Sequence, residues 1–299
     1  MPRTKAAANP LFKSARRQYH TELLKRGVLC MTKRKRPKAG LATEFPSNAD
    51  GGSVASIAIA NGIFHRINAE AKAAERLKGQ ISGSEFEQIT RSFLEETFLA
   101  LTPLRPGKWN FVKEKKTILR CEQYQHLEEL AKIAEKSREI RVLLGSDYVI
   151  APDIIITRYP ETDAVINGKQ SLVDEEVARR SPLRLANNQL PMLHASISCK
   201  WTLRSDRAQN ARSEALNLVR NRKGQVPHIV VVTGEPLPSR LASLALGTGD
   251  LDCVYHFALP ELMEATRDMD DEETNNMLQM MVEGKRLRDI ADLPLDLAV

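Results

Sequence analysis

The sequence predicts an α/β fold: a mixed central sheet flanked by helices, with a helical N-terminal part. Three observations lead there. The first 143 residues carry mostly helix-period patterns. Short apolar, β-branched runs at 148–157, 228–233 and 252–257 read as buried strands, and the strict alternation at 194–203 reads as another strand. Helical segments interleave with those runs, the order expected of an α/β layer structure. With no long low-complexity linker, residues 1–299 read as one domain. It has a mainly helical part at 9–143, an α/β core at 144–260 and a helical C-terminal part at 261–299.

The elements follow in order. Residues 9–26 form an amphipathic pattern that Gly27 should stop. The basic stretch MTKRKRPKAG after it reads as a loop or arm, and Lys33 to Arg36 could touch phosphates, although a solvated charge run is the commoner outcome. Helices are expected from Ser53 to about Lys72 and from about Ser84 to Leu101, the latter with Phe86, Ile89, Phe93 and Leu101 on one stripe. Another is expected over 121–143. YVIAPDIIIT is read as a buried strand. In HASISCKWTL, Ala195, Ile197, Cys199, Trp201 and Leu203 share one face, and His194, Ser196, Ser198, Lys200 and Thr202 share the other. A helix should run from Ser205, taken as its N-cap, to about Arg222, with Gly224 as a stop.

Composition narrows the class. Hydrophobic residues make up 42% and charged residues 27%, ordinary for a globular chain, and the net charge of +6 suits an anionic partner such as DNA without proving one. Cys30, Cys121, Cys199 and Cys253 form no CxxC pair, which argues against a zinc ribbon and a secreted disulfide framework. No apolar signal core or membrane-length run is present, so a cytoplasmic protein is expected.

Three residues carry chemistry. Asp153 stands among apolar neighbours, where a carboxylate is costly unless paired, hydrogen-bonded or metal-bound. Alone, it could equally cap a turn at a strand end. Lys200 shares a strand face with Ser198, and alone would read as an edge lysine in solvent. Glu214 lies on the following helix, where an exposed glutamate is the usual outcome. Together they form the PD-(D/E)xK nuclease constellation, with Ser198 in the second acidic position. Carboxylates can hold Mg²⁺, the metal activates water and offsets phosphate charge, and a lysine orients that water. Arg204, Asp206 and Arg207 open the helix after the Ser-x-Lys strand. Arginine suits guanine O6 and N7, and aspartate suits cytosine N4, so this end can read G·C pairs. A charged helix cap is the plainer reading.

At HASISCKWTLRSDRAQNARSEALNLVRNRKG the chain resembles the NgoMIV family of CCGG-recognising type II restriction endonucleases. The resemblance extends to NPLF, RLKGQISGSEFE, RPGKWN, LGSDYVIAPDIIITR, PHIVVVT, SRLASLALGTG, DCVYHFAL and GKRLRDIADLPLDLAV. It implies a restriction-endonuclease-like core, Mg²⁺-dependent cleavage of double-stranded GCCGGC after the first G with 5′-CCGG ends, and a homotetramer that binds two DNA sites. It also implies a companion DNA methyltransferase in the cell, not held as a stable partner. By the resemblance, Asp153, Glu214 and the backbone carbonyl of Cys199 bind metal. Lys200 is catalytic, Ser198 replaces the usual acid, and Glu87 acts on the metal through water. Arg204, Asp206 and Arg207 read the CCGG core, and Gln80 contacts the minor groove. Residues 1–8 and Lys33 to Lys38 depart from the family pattern. The alternatives are a nuclease of the same fold with a different CCGG-containing target, or a repair or structure-specific role. A DNA-binding regulator with a vestigial site is another. A thiol enzyme built on Cys199 and His194 is disfavoured, because alternation puts them on opposite faces.

Overall fold

The computed structural model describes residues 10–34, 40–67, 79–112, 117–136, 139, 142, 152–247 and 249–299. Helix α1 (Leu11–Lys25) ends where the sequence supplies glycine. Gly27 takes a φ of 68°, a left-handed turn open to a residue without Cβ. Strands β1 (Met31–Lys33) and β2 (Glu44–Pro46) pair antiparallel. The start of the basic stretch is therefore a short ladder and not a free arm, with Lys33 Nζ 3.2 Å from Glu44. The rest of that stretch, residues 35–39, lies outside the described residues.

Helices α2 (Val54–Ile67) and α3 (Gly79–Leu99) follow. Helix α3 begins five residues before the expected start, taking in Gly79 and Gln80. The last residues expected of α2, 68–72, lie outside the described residues. Strand β3 (Trp109–Val112) is an edge strand inside the stretch expected to be helical, and its four residues are too few to show a period. Two 3₁₀ turns at Thr117–Arg120 and Glu122–Tyr124 precede α4 (Gln125–Lys136). Strand β4 (Ile154–Arg158) starts just after Asp153. Asp153 is thus at a bend before the strand, not inside it. Pro152 has no N–H to give a ladder, so the strand begins beyond it. The early part of the expected strand, 148–151, is outside the described residues.

The remaining elements are α5 (Asp163–Asn167), β5 (Met192–Lys200), α6 (Ser205–Asn221), β6 (His228–Thr233), α7 (Pro238–Ala245) and β7 (Cys253–His256). After them come α8 (Leu259–Arg267), α9 (Glu272–Glu283), β8 (Leu287–Asp289) and α10 (Leu293–Asp296). The N-cap of α6 falls on Arg204, one residue before the expected Ser205. Strand β8 lies inside the C-terminal stretch expected to be helical.

Six strands form one sheet in chain order from β3 to β8. The pairs β3–β4 and β4–β5 are antiparallel, while β5–β6, β6–β7 and β7–β8 are parallel. Parallel neighbours need a crossover, and helices α6, α7 and the α8–α9 pair supply them. Those crossovers cover the sheet. Ser196 and Ser198, on the face of β5 expected to be polar, are only 2% and 6% exposed. Their hydroxyls stand in an interior and not in solvent. On the other face Trp201 packs between Phe86 of α3 and Phe257, with ring centroids 5.0 and 5.2 Å apart. Arg16 ties α1 to the far end of the chain by paired hydrogen bonds to Glu261 and to Asp289. Among the described residues no helix is long and apolar enough to cross a membrane.

Candidate active site

Ligands of open α/β sheets gather at the carboxyl ends of the parallel strands. Lys200 ends β5, Thr233 ends β6 and His256 ends β7, so all three reach one edge of the sheet. Strand β4 runs the other way, and its beginning meets the same edge. Ile154 pairs with Ile197, and one further step along that antiparallel register brings Asp153 beside Ser198.

The carboxylate of Asp153 is held from two sides. Its Oδ2 accepts the backbone N–H of Cys199 at 2.7 Å and the ammonium of Lys200 at 2.8 Å. The pair is mostly shielded, with side-chain exposures of 13% for Asp153 and 21% for Lys200. Burial disfavours the charged form of Lys200. The charge and hydrogen bond of Asp153, with the charges of Glu214 and Cys199, outweigh that and raise its pKa above the ordinary lysine value. Lys200 is therefore an ammonium at any physiological pH. Ser198, two residues earlier, donates its hydroxyl to Glu214 Oε2 at 2.7 Å, which brings a helix carboxylate down onto the strand. The Asp153–Lys200–Ser198–Glu214 grouping expected from the sequence is thus assembled.

Glu87 approaches from α3. The fully buried Cys199 thiol is pushed well up by burial first, with the charges of Asp153 and Glu87 adding to it. Both carboxylates therefore act on the same end of β5. Gln80 falls in the first turn of α3. Arg204 and Asp206 are exposed at the start of α6, and Arg207 is half-buried, its Nη1 donating to Thr202 Oγ1 at 3.1 Å. The thiol reading fails on geometry. His194 is enclosed by Phe98, Trp109 and His228, bonds to the carbonyl of Leu297 at 2.8 Å, and burial lowers its pKa to about 3.

Sequence reasoning missed Glu235, Arg240 and Asp50. Glu235 is completely buried immediately beyond β6, and burial pushes its pKa up to about 7. Its Oε2 accepts the N–H of Leu203 at 2.7 Å, and Arg240 Nη1 lies 3.7 Å from its Oε1. Arg240 also pairs with Asp50. The signal was available: Glu235 stands two residues past the end of an apolar strand run, as Asp153 directly precedes one.

Among the described residues no three His, Cys, Asp or Glu side chains converge as a metal cluster. The donors that do meet here are oxygens: two carboxylates, a serine hydroxyl and strand carbonyls. That set fits Mg²⁺, which keeps most of its water and binds through one or two carboxylates plus substrate phosphate.

Sequence similarity defines the class: the chain is a type II restriction enzyme, a site-specific deoxyribonuclease. It belongs to the NgoMIV restriction enzyme family, whose profile matches residues 19–299. The type II restriction enzyme NgoMIV of Neisseria gonorrhoeae is 52% identical over 295 residues, which cover 97% of this chain and 100% of that protein. A solved complex of restriction endonuclease PspGI with substrate DNA shares 13% identity at a TM-score of 0.26, over 97% of this chain and 92% of that one. That superposition is too loose to bear on fold or function. The family implies a divalent metal cofactor and a DNA substrate.

Proposed function

We propose that the enzyme cuts double-stranded DNA at GCCGGC, after the first G, leaving 5′-CCGG ends, with Mg²⁺ as its cofactor. The observation that carries this reading is the junction of β5 and α6. Over ten residues, 198–207, it presents Ser198 and Lys200, hydrogen-bonded to Glu214 and Asp153, and then Arg204, Asp206 and Arg207. Hydrolysis and base reading would be built on one continuous segment. The 52% identity to NgoMIV supports carrying over the target that the resemblance implies.

Asp153, Glu214 and the Cys199 carbonyl would hold the metal, with Glu87 acting through water. Bound there, Mg²⁺ supplies positive charge against the scissile phosphate and lowers the pKa of a water. Lys200, kept protonated by its carboxylate neighbours, orients the attacking water and stabilises the charge that grows on the phosphate. Ser198 holds Glu214 in place through its hydroxyl. Arg204 and Asp206 project freely toward a duplex, and Arg207 is braced by Thr202.

The reading includes a homotetramer on two DNA sites. The excursion between β4 and β5 exposes Val165, Leu172, Val177 and Leu185, apolar surface that association would cover. It also includes a bacterial cytoplasmic setting, action against foreign DNA, and a companion methyltransferase that protects the host.

The test is digestion of plasmids carrying or lacking GCCGGC in Mg²⁺, in Ca²⁺ and without metal. Cutting is expected only with Mg²⁺ and only at the site. Ca²⁺ should support binding and little cleavage, because its larger, looser shell positions water poorly. Efficient cutting in Ca²⁺ alone contradicts the metal reading. Binding of the plasmid fragments in Mg²⁺ with no cutting anywhere would favour the regulator. Arg207→Ala should lose roughly 1–3 kcal/mol of discrimination against a wrong base pair in a binding titration. Unchanged discrimination would reduce the cluster to a helix cap.

A further inference from the structure

The turn from β5 to α6, residues 201–204, joins Lys200 to the Arg204–Arg207 cluster. It carries no side-chain cap at the start of α6. What fixes it comes from the next strand. The loop after β6 presses against it so closely that a Cβ on Gly234 would lie 2.6 Å from the Trp201 ring. Beside Gly234, Glu235 Oε2 takes the Leu203 N–H at 2.7 Å, and its Oε1 takes the Leu237 N–H at 3.3 Å where α7 begins. Arg240 of α7 faces the same Oε1 and pairs with Asp50, while Asn48 Nδ2 donates to the Gly234 carbonyl at 2.9 Å. One fully buried carboxylate thus joins the turn before α6 to the start of α7 and to the segment at 48–50.

We propose that Glu235 is a positioning residue for sequence discrimination: its two carboxylate oxygens set the 201–204 turn, and with it the angle at which Arg204, Asp206 and Arg207 meet the DNA. This rests on the reading that those three residues contact the bases. An ionised carboxylate accepts at both oxygens and balances Arg240. A protonated one gives up an acceptor and the charge, so the turn loosens.

The proton on Glu235 exchanges near neutrality, because burial places its pKa at about 7. The charged groups facing it are Arg240 and Asp50, and the charge of Arg204 reaches Asp50. The buried imidazole of His256 lies beside the Glu235 backbone, and its Nδ1 accepts the Ala258 N–H at 3.1 Å. Burial lowers its pKa to about 4, so it stays neutral from pH 6 to 8. The change in charge across that interval therefore belongs to Glu235. Discrimination should be high at pH 8, with the carboxylate ionised, and lower at pH 6.

The experiment measures Ca²⁺-supported binding of the full-length enzyme to its mapped cognate duplex and to a duplex with one base pair changed, at pH 6, 7 and 8. For the wild type, the ratio of the two affinities should fall roughly tenfold from pH 8 to pH 6, the scale of one hydrogen bond to a charged group. Glu235→Gln has the same shape but a single acceptor and no charge, so its ratio should be low and flat with pH. A Glu235→Gln protein with the wild-type ratio and pH profile overturns the proposal. If that variant does not fold, a wild-type ratio that is flat from pH 6 to 8 overturns it equally. Arg207→Ala, measured alongside, separates the two layers. No loss of discrimination there removes the base-reading assignment itself, whereas loss there with an unaffected Glu235→Gln removes only the role of Glu235.

Discussion

Lys200→Ala binds its cognate duplex in Ca²⁺ as tightly as the wild type and cuts it in Mg²⁺ at least about 10²–10³-fold more slowly under single-turnover conditions. Two features of the site combine to give this result. The ammonium is the cation of the β5 end, held 2.8 Å from Asp153 and kept charged by the carboxylates around it. It is also shielded, so the charge it places beside a scissile phosphate is weakly screened. In the proposed reading the bases are met by other side chains, four or more residues further on. Alanine removes the charge and leaves the Cys199 N–H on Asp153, so the carboxylate proposed to bind the metal keeps one of its two supports. A variant that cuts at the wild-type rate would take Lys200 out of the mechanism. One that loses binding and cleavage together would mean that the residue organises the site and does not act on the phosphate.

Asp153→Asn is the second large effect, and unlike Lys200→Ala it is expected to change DNA binding as well as cleavage. The amide keeps an acceptor for the Cys199 N–H but loses the negative charge that would hold Mg²⁺ and that pairs with Lys200. Cleavage should fall at least about 10³-fold, since neither metal nor water is then positioned. DNA binding without metal should tighten, because one of the carboxylates that repel the phosphate is gone. The stability cost should be about 1–3 kcal/mol, the scale of weakening one charge-assisted hydrogen bond at a largely shielded site. Single-turnover cleavage, a binding titration with and without Ca²⁺, and urea unfolding read the three effects separately. A variant whose cleavage is restored by raising Mg²⁺ would leave Asp153 as a helper and move the main metal contact to Glu214.

Legibility in the sequence followed the length and purity of each pattern. Strand β6 was bounded to the residue, because the apolar, β-branched IVVV run at the heart of HIVVVT is closed off by Pro227 and Gly234. Helix α6 was placed within one residue of its ends. Strands β3 and β8, with four and three residues, are too short to carry a period and vanished into stretches read as helix. The two faces expected for β5 differ in composition but not in exposure, since a strand between two neighbours and under crossover helices is covered on both faces.

The site divides in the same way. Ser198, Lys200 and Glu214 lie on one strand–turn–helix unit, so the nuclease pattern that groups them could be read from one short stretch of sequence. Asp153 was legible because a carboxylate among apolar residues needs a reason. Glu87 could not be picked out from its own surroundings, as its neighbour Phe86 is what presses α3 onto Trp201. Glu235 was missed because its partner Leu203 lies thirty-two residues earlier in the chain, and only the parallel pairing of β5 with β6 brings that turn to it.

The most direct measurement is to sequence the ends left by the purified enzyme on DNA in Mg²⁺. The account predicts discrete cuts at GCCGGC alone, each after the first G, with 5′-CCGG overhangs. Cuts scattered without sequence preference, or confined to sites that lack CCGG, would contradict it.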